Sequence, residues 1–142
     1  MNGNRGITTL SRRRGSFTAH LFAVTALAFL AGCTSAQDEE VRKLQAKNSY
    51  DIAVRNLTDN RLSLGLASLK EAIQLDPENA QFHNTLGLVY LNLGRTVDGQ
   101  AEIQAAIDLD KNNPDFQHNL GIALAQQGKF DDAIVAYKKA LT

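Results

Sequence analysis

The chain has 142 residues, 15 basic and 15 acidic, for a net charge of zero, and a single cysteine. One cysteine excludes an intrachain disulfide. The charge is unevenly placed: Arg5, Arg12, Arg13 and Arg14 precede Cys33, and all 15 acidic residues follow it. Residues 33–142 therefore hold 11 basic and 15 acidic side chains, a net −4 over 110 residues, which argues against nucleic acid and against a polybasic membrane patch.

Leu21 to Ala31 is an apolar run of 11 residues behind the arginine cluster. It is too short to span a bilayer as a helix. A basic segment, a short apolar segment and small residues in that order predict a removable signal over 1–32. Ser11-Arg12-Arg13 hints at a twin-arginine signal, but Gly15 stands where such signals carry Phe, so the general secretion route is favoured. Leu30-Ala31-Gly32-Cys33 resembles a bacterial lipobox. That resemblance implies cleavage before Cys33 and lipid attached to it, anchoring the mature chain at a membrane surface. Several acyl chains on one cysteine, as the resemblance implies, meet the need for more than one anchoring signal. Thr34 replaces the Asp that resembles an inner-membrane retention mark, which favours the outer membrane and the periplasm. The alternative is a secreted protein with a stray thiol. Residues 33–45, with Asp38-Glu39-Glu40, read as the lipidated cysteine and a tether that enters helix near Glu39.

From residue 46 the chain repeats every 34 residues. Leu86-Gly87 returns as Leu120-Gly121, Phe82 as Phe116, Gly94 as Gly128, and Ala106 as Ala140. A fixed period sets the architecture before any single element is assigned. It gives units 46–79, 80–113 and 114–142. Phe82, Leu86, Val89, Tyr90 and Leu93 share one helical face. Asn79 and Asn113 sit where Asn is a good N-cap, and Pro114 follows at a first helical position. Asn60, Gly94 and Gly128 sit at the same phase, where a helix stops in the left-handed conformation. Each unit is thus predicted to be two antiparallel helices. Gly65, Gly87, Gly99 and Gly121 fall inside helices, at about 1 kcal/mol each relative to Ala. Their recurrence predicts close approach of the two helices of a unit.

These positions resemble the tetratricopeptide repeat. The second unit shows Leu86-Gly87, Tyr90, Gly99, Ile103, Ala106 and Asp110; the third shows Leu120-Gly121, Leu124, Ala133, Tyr137 and Ala140. The first shows Ile52-Ala53, Gly65, Leu69, Ala72 and Asp76-Pro77. His83 and Gln117 depart from the usual Trp, and Lys111 from the usual Pro. The resemblance implies an all-α solenoid of three helix pairs whose first helices line a concave groove.

By that resemblance, groove places hold Tyr50, Val54, Leu57 and Thr58 in the first unit. They hold Asn84, Leu88, Leu91 and Asn92 in the second, and His118, Ile122, Ala125 and Gln126 in the third. One place is apolar in all three units: Val54, Leu88 and Ile122. Chaperone-binding members carry a Lys, Asn and Arg clamp for a terminal carboxylate, and this chain lacks it. An apolar stripe with polar edges suits an amphipathic helix or an extended apolar peptide. Packing of the stripe against the chain's own helices is the competing reading.

No phosphate-cradling glycine loop, nucleophile elbow or zinc-spaced histidine pair is present, so neither catalysis nor a cofactor or metal is expected. Ile134, Tyr137 and Leu141 are expected on an apolar edge of the last helix. A truncated sequence, a homodimer through that edge and a docking surface for a larger partner all remain open. The chain resembles most the pilotin-type lipoproteins of type IV pilus assembly. The function this implies is a lipid-anchored adaptor for an envelope protein, assisting a pilus or secretin complex. A scaffold for peptidoglycan-processing enzymes and an accessory subunit of an enzyme complex are the alternatives.

Overall fold

A computed structural model describes the backbone of residues 17–142 and the side chains from Ser35 onward. Residues 1–16 and the thiol of Cys33 lie outside the described residues, and with them the expected cleavage and lipidation. Contacts divide the chain into Met1–Glu39 and Glu40–Thr142. Six helices occur among the described residues, without strands: α1 (Phe17–Thr58), α2 (Leu62–Leu75), α3 (Ala80–Asn92), α4 (Thr96–Leu109), α5 (Pro114–Gln126) and α6 (Phe130–Ala140). The tether expected to enter helix near Glu39 is instead helical throughout, within α1. Its sequence explains this: Thr34 to Thr58 contains no Gly or Pro and is rich in Ala, Leu, Gln, Glu, Lys and Arg, which favour helix.

The first helix of every pair ends in the same way. Asn60, Gly94 and Gly128 have φ of 60, 72 and 76°. Arg61, Arg95 and Lys129 then donate their N–H back to the carbonyls of Asn56, Tyr90 and Leu124 at 2.7, 2.9 and 2.9 Å. Asn60, Gly94 and Gly128 themselves donate to Leu57, Ala125's counterpart Leu91, and Ala125 respectively. This double closure is the Schellman motif, and it satisfies carbonyls that a helix end would leave open. The following helix starts two residues after the left-handed residue, so the chain reverses within three residues. Short connections of this kind make antiparallel neighbours.

Helix starts are less uniform. The Asn113 side chain accepts the Asp115 N–H at 3.1 Å, with Pro114 in the first turn. Asn79 occupies the same place but makes no side-chain cap, and only its carbonyl receives an N–H, from Phe82 at 3.1 Å.

Within the pair α3–α4 the two glycines face one another. A Cβ on Gly87 would lie 2.6 Å from Ile103 Cγ1 and 2.9 Å from the Gly99 carbonyl oxygen. A Cβ on Gly99 would lie 2.6 Å from Leu91 Cδ2 and 2.9 Å from the Gly87 carbonyl oxygen. Residue number rises on one helix as it falls on the other, as antiparallel packing requires. The first pair uses Gly65 against Leu57, and the third uses Gly121 beneath the Tyr137 ring.

The core follows the period. Ala46, Ala53, Leu69, Phe82, Leu86 and Tyr90 lie in one buried cluster. Leu91, Ile103, Ala106, Ile107 and Phe116 form the next, and Leu124, Ala133 and Ala136 the last. Phe82 and Phe116 occupy the same place in successive units, and each carries its first helix onto the pair before it. The result is a stack in which each unit buries apolar side chains both within its own helix pair and against its neighbours.

Candidate peptide-binding groove

The face formed by α1, α3 and α5 carries the residues expected to contact a partner. Val54 is 39% exposed, and Asn92, His118 and Gln126 are exposed as well. Leu88 and Ile122 are half-buried and pack against the middle core cluster. The apolar stripe is therefore a shared surface: each residue gives one side to its own fold and leaves another open. Tyr50 and Leu57 are half-buried in the first cluster.

Two of these residues, Asn84 and Leu91, are buried. Asn84 is only 4% exposed, and its side-chain oxygen accepts the amide of Asn119 at 2.9 Å. Leu91 is 5% exposed, because it fills the space left by Gly99. Buried polar groups need such partners, since an unpaired amide in the interior costs about 1–3 kcal/mol.

The Asn84–Asn119 bond has a counterpart one unit earlier. Tyr50 Oη and Thr85 Oγ1 lie 3.1 Å apart. Both bonds join residues 35 positions apart, the fifth place of one unit to the sixth of the next. Tyr50 also stacks on Phe82, with ring centroids 4.7 Å apart and planes at 23°. The fifth-place row is thus a polar ladder between successive first helices, and Thr85 and Asn119 are its far ends. A comparison at the 34-residue period aligns like with like and passes over a 35-residue link. At the end of α5, Gln127 Nε2 donates to Gln100 Oε1 at 2.8 Å and to the Thr96 carbonyl at 3.3 Å, a second link between units.

His118 holds the fifth place in the third unit. Its ring lies 5.4 Å from that of Tyr137, tilted by 47°. His83, in the place next to Asn84, turns away from this face. Its Nδ1 sits 2.8 Å from Glu102 Oε2 and its Nε2 3.1 Å from the Pro77 carbonyl, tying α3 to α4 and to the preceding loop. Among the described residues no three His, Cys, Asp or Glu side chains converge on a metal-sized space.

With the ladder occupying the fifth and sixth places between units, what stays open besides His118 is the ninth row, Val54, Leu88 and Ile122, and two amides one turn on, Asn92 and Gln126. Thr58 holds the same place as those amides, but its hydroxyl bonds the Val54 and Arg55 carbonyls of its own helix, both at 2.8 Å. No Lys or Arg stands in these rows. The surface is therefore apolar, edged by neutral amides, and has no fixed cation to hold a carboxylate.

A stack of antiparallel helix pairs with an open first-helix face defines a helical-repeat interaction module. Tetratricopeptide repeat family models match residues 60–94, 80–113 and 114–142. Together they cover 60–142, more than half of the chain, which belongs to the tetratricopeptide repeat family. No curated protein matches. Among solved structures, MamA is 24% identical with a TM-score of 0.66 over 70% of this chain, which spans 58% of the MamA chain. The second such domain of Spaghetti (RPAP3), bound to the HSP90 peptide SRMEEVD, is 19% identical with a TM-score of 0.70, covering 74% of this chain and 96% of that one. The N-terminal domain of stress-induced protein-1 from C. elegans is 17% identical with a TM-score of 0.65, covering 70% and 84%. At these identities the likeness is one of fold.

Proposed function

We propose that this protein is a lipid-anchored adaptor of the bacterial envelope, held at the outer membrane through Cys33, that binds an apolar segment of another envelope protein along α1, α3 and α5. The observation that carries the binding half is the ninth row, which presents Val54, Leu88 and Ile122 with no cation among the open groove residues. The Leu30 to Cys33 motif supports the anchor. The repeat proteins seen with HSP90 and Hsp70 peptides support a peptide as the class of ligand. The peptide SRMEEVD is acidic at its end, and the open surface described here lacks the positive charge to match it. An assembling pilus or secretin subunit fits the combination of lipid anchor and repeat domain. The alternative partner, a peptidoglycan-processing enzyme, uses the same surface.

The test is a pull-down from detergent-solubilised envelopes with wild-type protein and Val54→Asp. Val54 is exposed enough for the variant to fold, which an unchanged melting curve checks. Wild type is expected to retain a partner that the variant loses. Retention should persist at high salt, because opposed exposed charges are screened whereas apolar contact is not. Equal capture by the folded variant, or release of the partner by salt alone, would refute the groove.

A further inference from the structure

The start of the second unit is held by a different device from the start of the third. Asn113 caps α5 through its side chain, whereas Asn79, at the same place before α3, makes no side-chain cap. One period apart inside those helices stand His83 and Gln117. Gln117 leaves its buried Oε1 without a hydrogen-bond partner. His83 uses both ring nitrogens. Its Nδ1 lies 2.8 Å from Glu102 Oε2 on α4, and its Nε2 lies 3.1 Å from the Pro77 carbonyl in the α2–α3 loop. The ring thus ties the start of α3 to the loop before it and to the helix after it.

Both partners of the ring can only accept. A carbonyl oxygen has no proton to give, and neither has an ionised carboxylate. A neutral imidazole carries one N–H, so in either tautomer one nitrogen turns a lone pair onto an oxygen. Only the imidazolium donates at both. The side chains of His83 and Glu102 are 15% and 29% exposed, so this pair is shielded from most of the solvent. The charged groups around the ring suit a cation. Glu102 faces it from α4, and Asp76 and Glu78 flank Pro77 in the loop. From α2, Lys70 lines a depression of about 220 Å³ that Glu102 also lines, and it is exposed. α3 has no other charged side chain. Lys47 and Asp51 of α1 pair with one another, and Asp98 of α4 pairs with Arg95.

We propose that His83 is a proton-operated latch: with both nitrogens protonated it holds the α2–α3 loop and α4 onto the start of α3, and loss of one proton frees one of the two. The carboxylate is the stronger acceptor, because hydrogen bonds to ionised groups are roughly twice as strong as neutral ones. The neutral ring therefore keeps its N–H on Glu102 and releases Pro77. The stability from the second bond is present in acid, where the ring is charged and Glu102 still ionised. It is lost as the pH rises through the range in which histidine changes charge. Asn84, the next residue, holds the rung to Asn119, so the latch acts at the root of the groove's middle helix. The third unit has no such latch, because Gln117 does not titrate.

Thermal melts of the full chain in mild detergent at about pH 5 and pH 8, the ends of the histidine range, test this. Wild type is set beside His83→Gln, which places the third unit's side chain in the second. The advantage of wild type over the variant is expected to be about 4–8 °C larger at the acid end, the worth of one hydrogen bond in a domain of this size. Nitrogen NMR shifts of the ring in wild type report the proton positions without any substitution. Both nitrogens are expected to carry a proton at the acid end, and Nδ1 alone at the basic end. An advantage that is equal at the two ends, or larger at the basic one, overturns the latch. So does a ring with a single proton in acid, or one whose remaining proton sits on Nε2 in base.

Discussion

Gly87→Ala separates a glycine needed for space from one needed for backbone shape. In an unpacked helix the change gains about 1 kcal/mol, because Ala is the better helix former. Here the new methyl would sit 2.6 Å from Ile103 Cγ1 and 2.9 Å from the Gly99 carbonyl. Ile103 is fully buried and the Gly99 oxygen belongs to the backbone of α4, so neither can simply swing aside. Overpacking of this kind costs about 1–3 kcal/mol, and two immovable neighbours place it at the upper end. The net loss is then about 2 kcal/mol, or roughly 8–16 °C in melting temperature for a domain near 100 residues. Gly94 is the control. A Cβ there meets nothing within 4 Å, but φ is 72°. Gly94→Asn should be nearly neutral, because Asn60 already adopts φ 60° at the equivalent place and Asn tolerates that region. Gly87→Asn should be more damaging than Gly87→Ala, because it adds bulk to the same clash without the helix propensity of Ala. Thermal melts followed by circular dichroism decide it. If Gly87→Ala melts at or above wild type, the glycine pair is not a contact point and the account of the helix crossing fails.

Two further outcomes are expected. Cys33→Ser should leave unprocessed precursor that no longer incorporates labelled fatty acid, and normal processing with normal membrane retention would sink the lipid anchor. Asn84→Leu should destabilise by about 1–3 kcal/mol by stranding the Asn119 amide, whereas Asn84→Leu with Asn119→Leu should recover most of the loss; melts of the three variants that show no such recovery would remove the ladder as a structural link.

The helix pairs were legible because three kinds of signal shared one period: an apolar face, a left-handed stop and a small residue at the crossing. Asn60 is instructive. It is not glycine, yet its phase with Gly94 and Gly128 marked the first helix end, and its φ of 60° agrees. Asn79 shows the limit of the same reasoning. It shares the phase of Asn113 but makes no side-chain cap, because only Asn113 turns its oxygen onto the N–H two residues on. Which residues share the face of α1, α3 and α5 was legible, but not which of their atoms are exposed. Val54 and Leu88 are equivalent by period, yet they differ in burial. α1 and α3 have different neighbours, and a period cannot register which of them covers a residue. Asn84 and Leu91 were lost from the groove for a related reason: their partners, Asn119 and Gly99, are fixed by packing between helices and within a pair.

The open rows also constrain what lies in the groove. Packed helices are spaced about 8–10 Å apart. An extended chain in the polyproline II form advances about 3.1 Å per residue with three residues per turn, so three residues span one unit and every third side chain faces the same way. A helix rises about 1.5 Å per residue, so six or seven residues do. Either ligand can set one apolar side chain against each of Val54, Leu88 and Ile122. The amides distinguish them. Asn92 and Gln126 are exposed, uncharged, and able both to donate and to accept. A helical ligand has already satisfied its main chain and offers those amides little. An extended ligand brings free N–H and C=O groups at the spacing of the units. The groove therefore favours an extended segment with an apolar residue at every third position. The segment recovered by the Val54-dependent pull-down is the material to examine. A bound segment that is helical by its NMR chemical shifts, with apolar residues seven apart, would reverse this choice while leaving the apolar row as the binding surface.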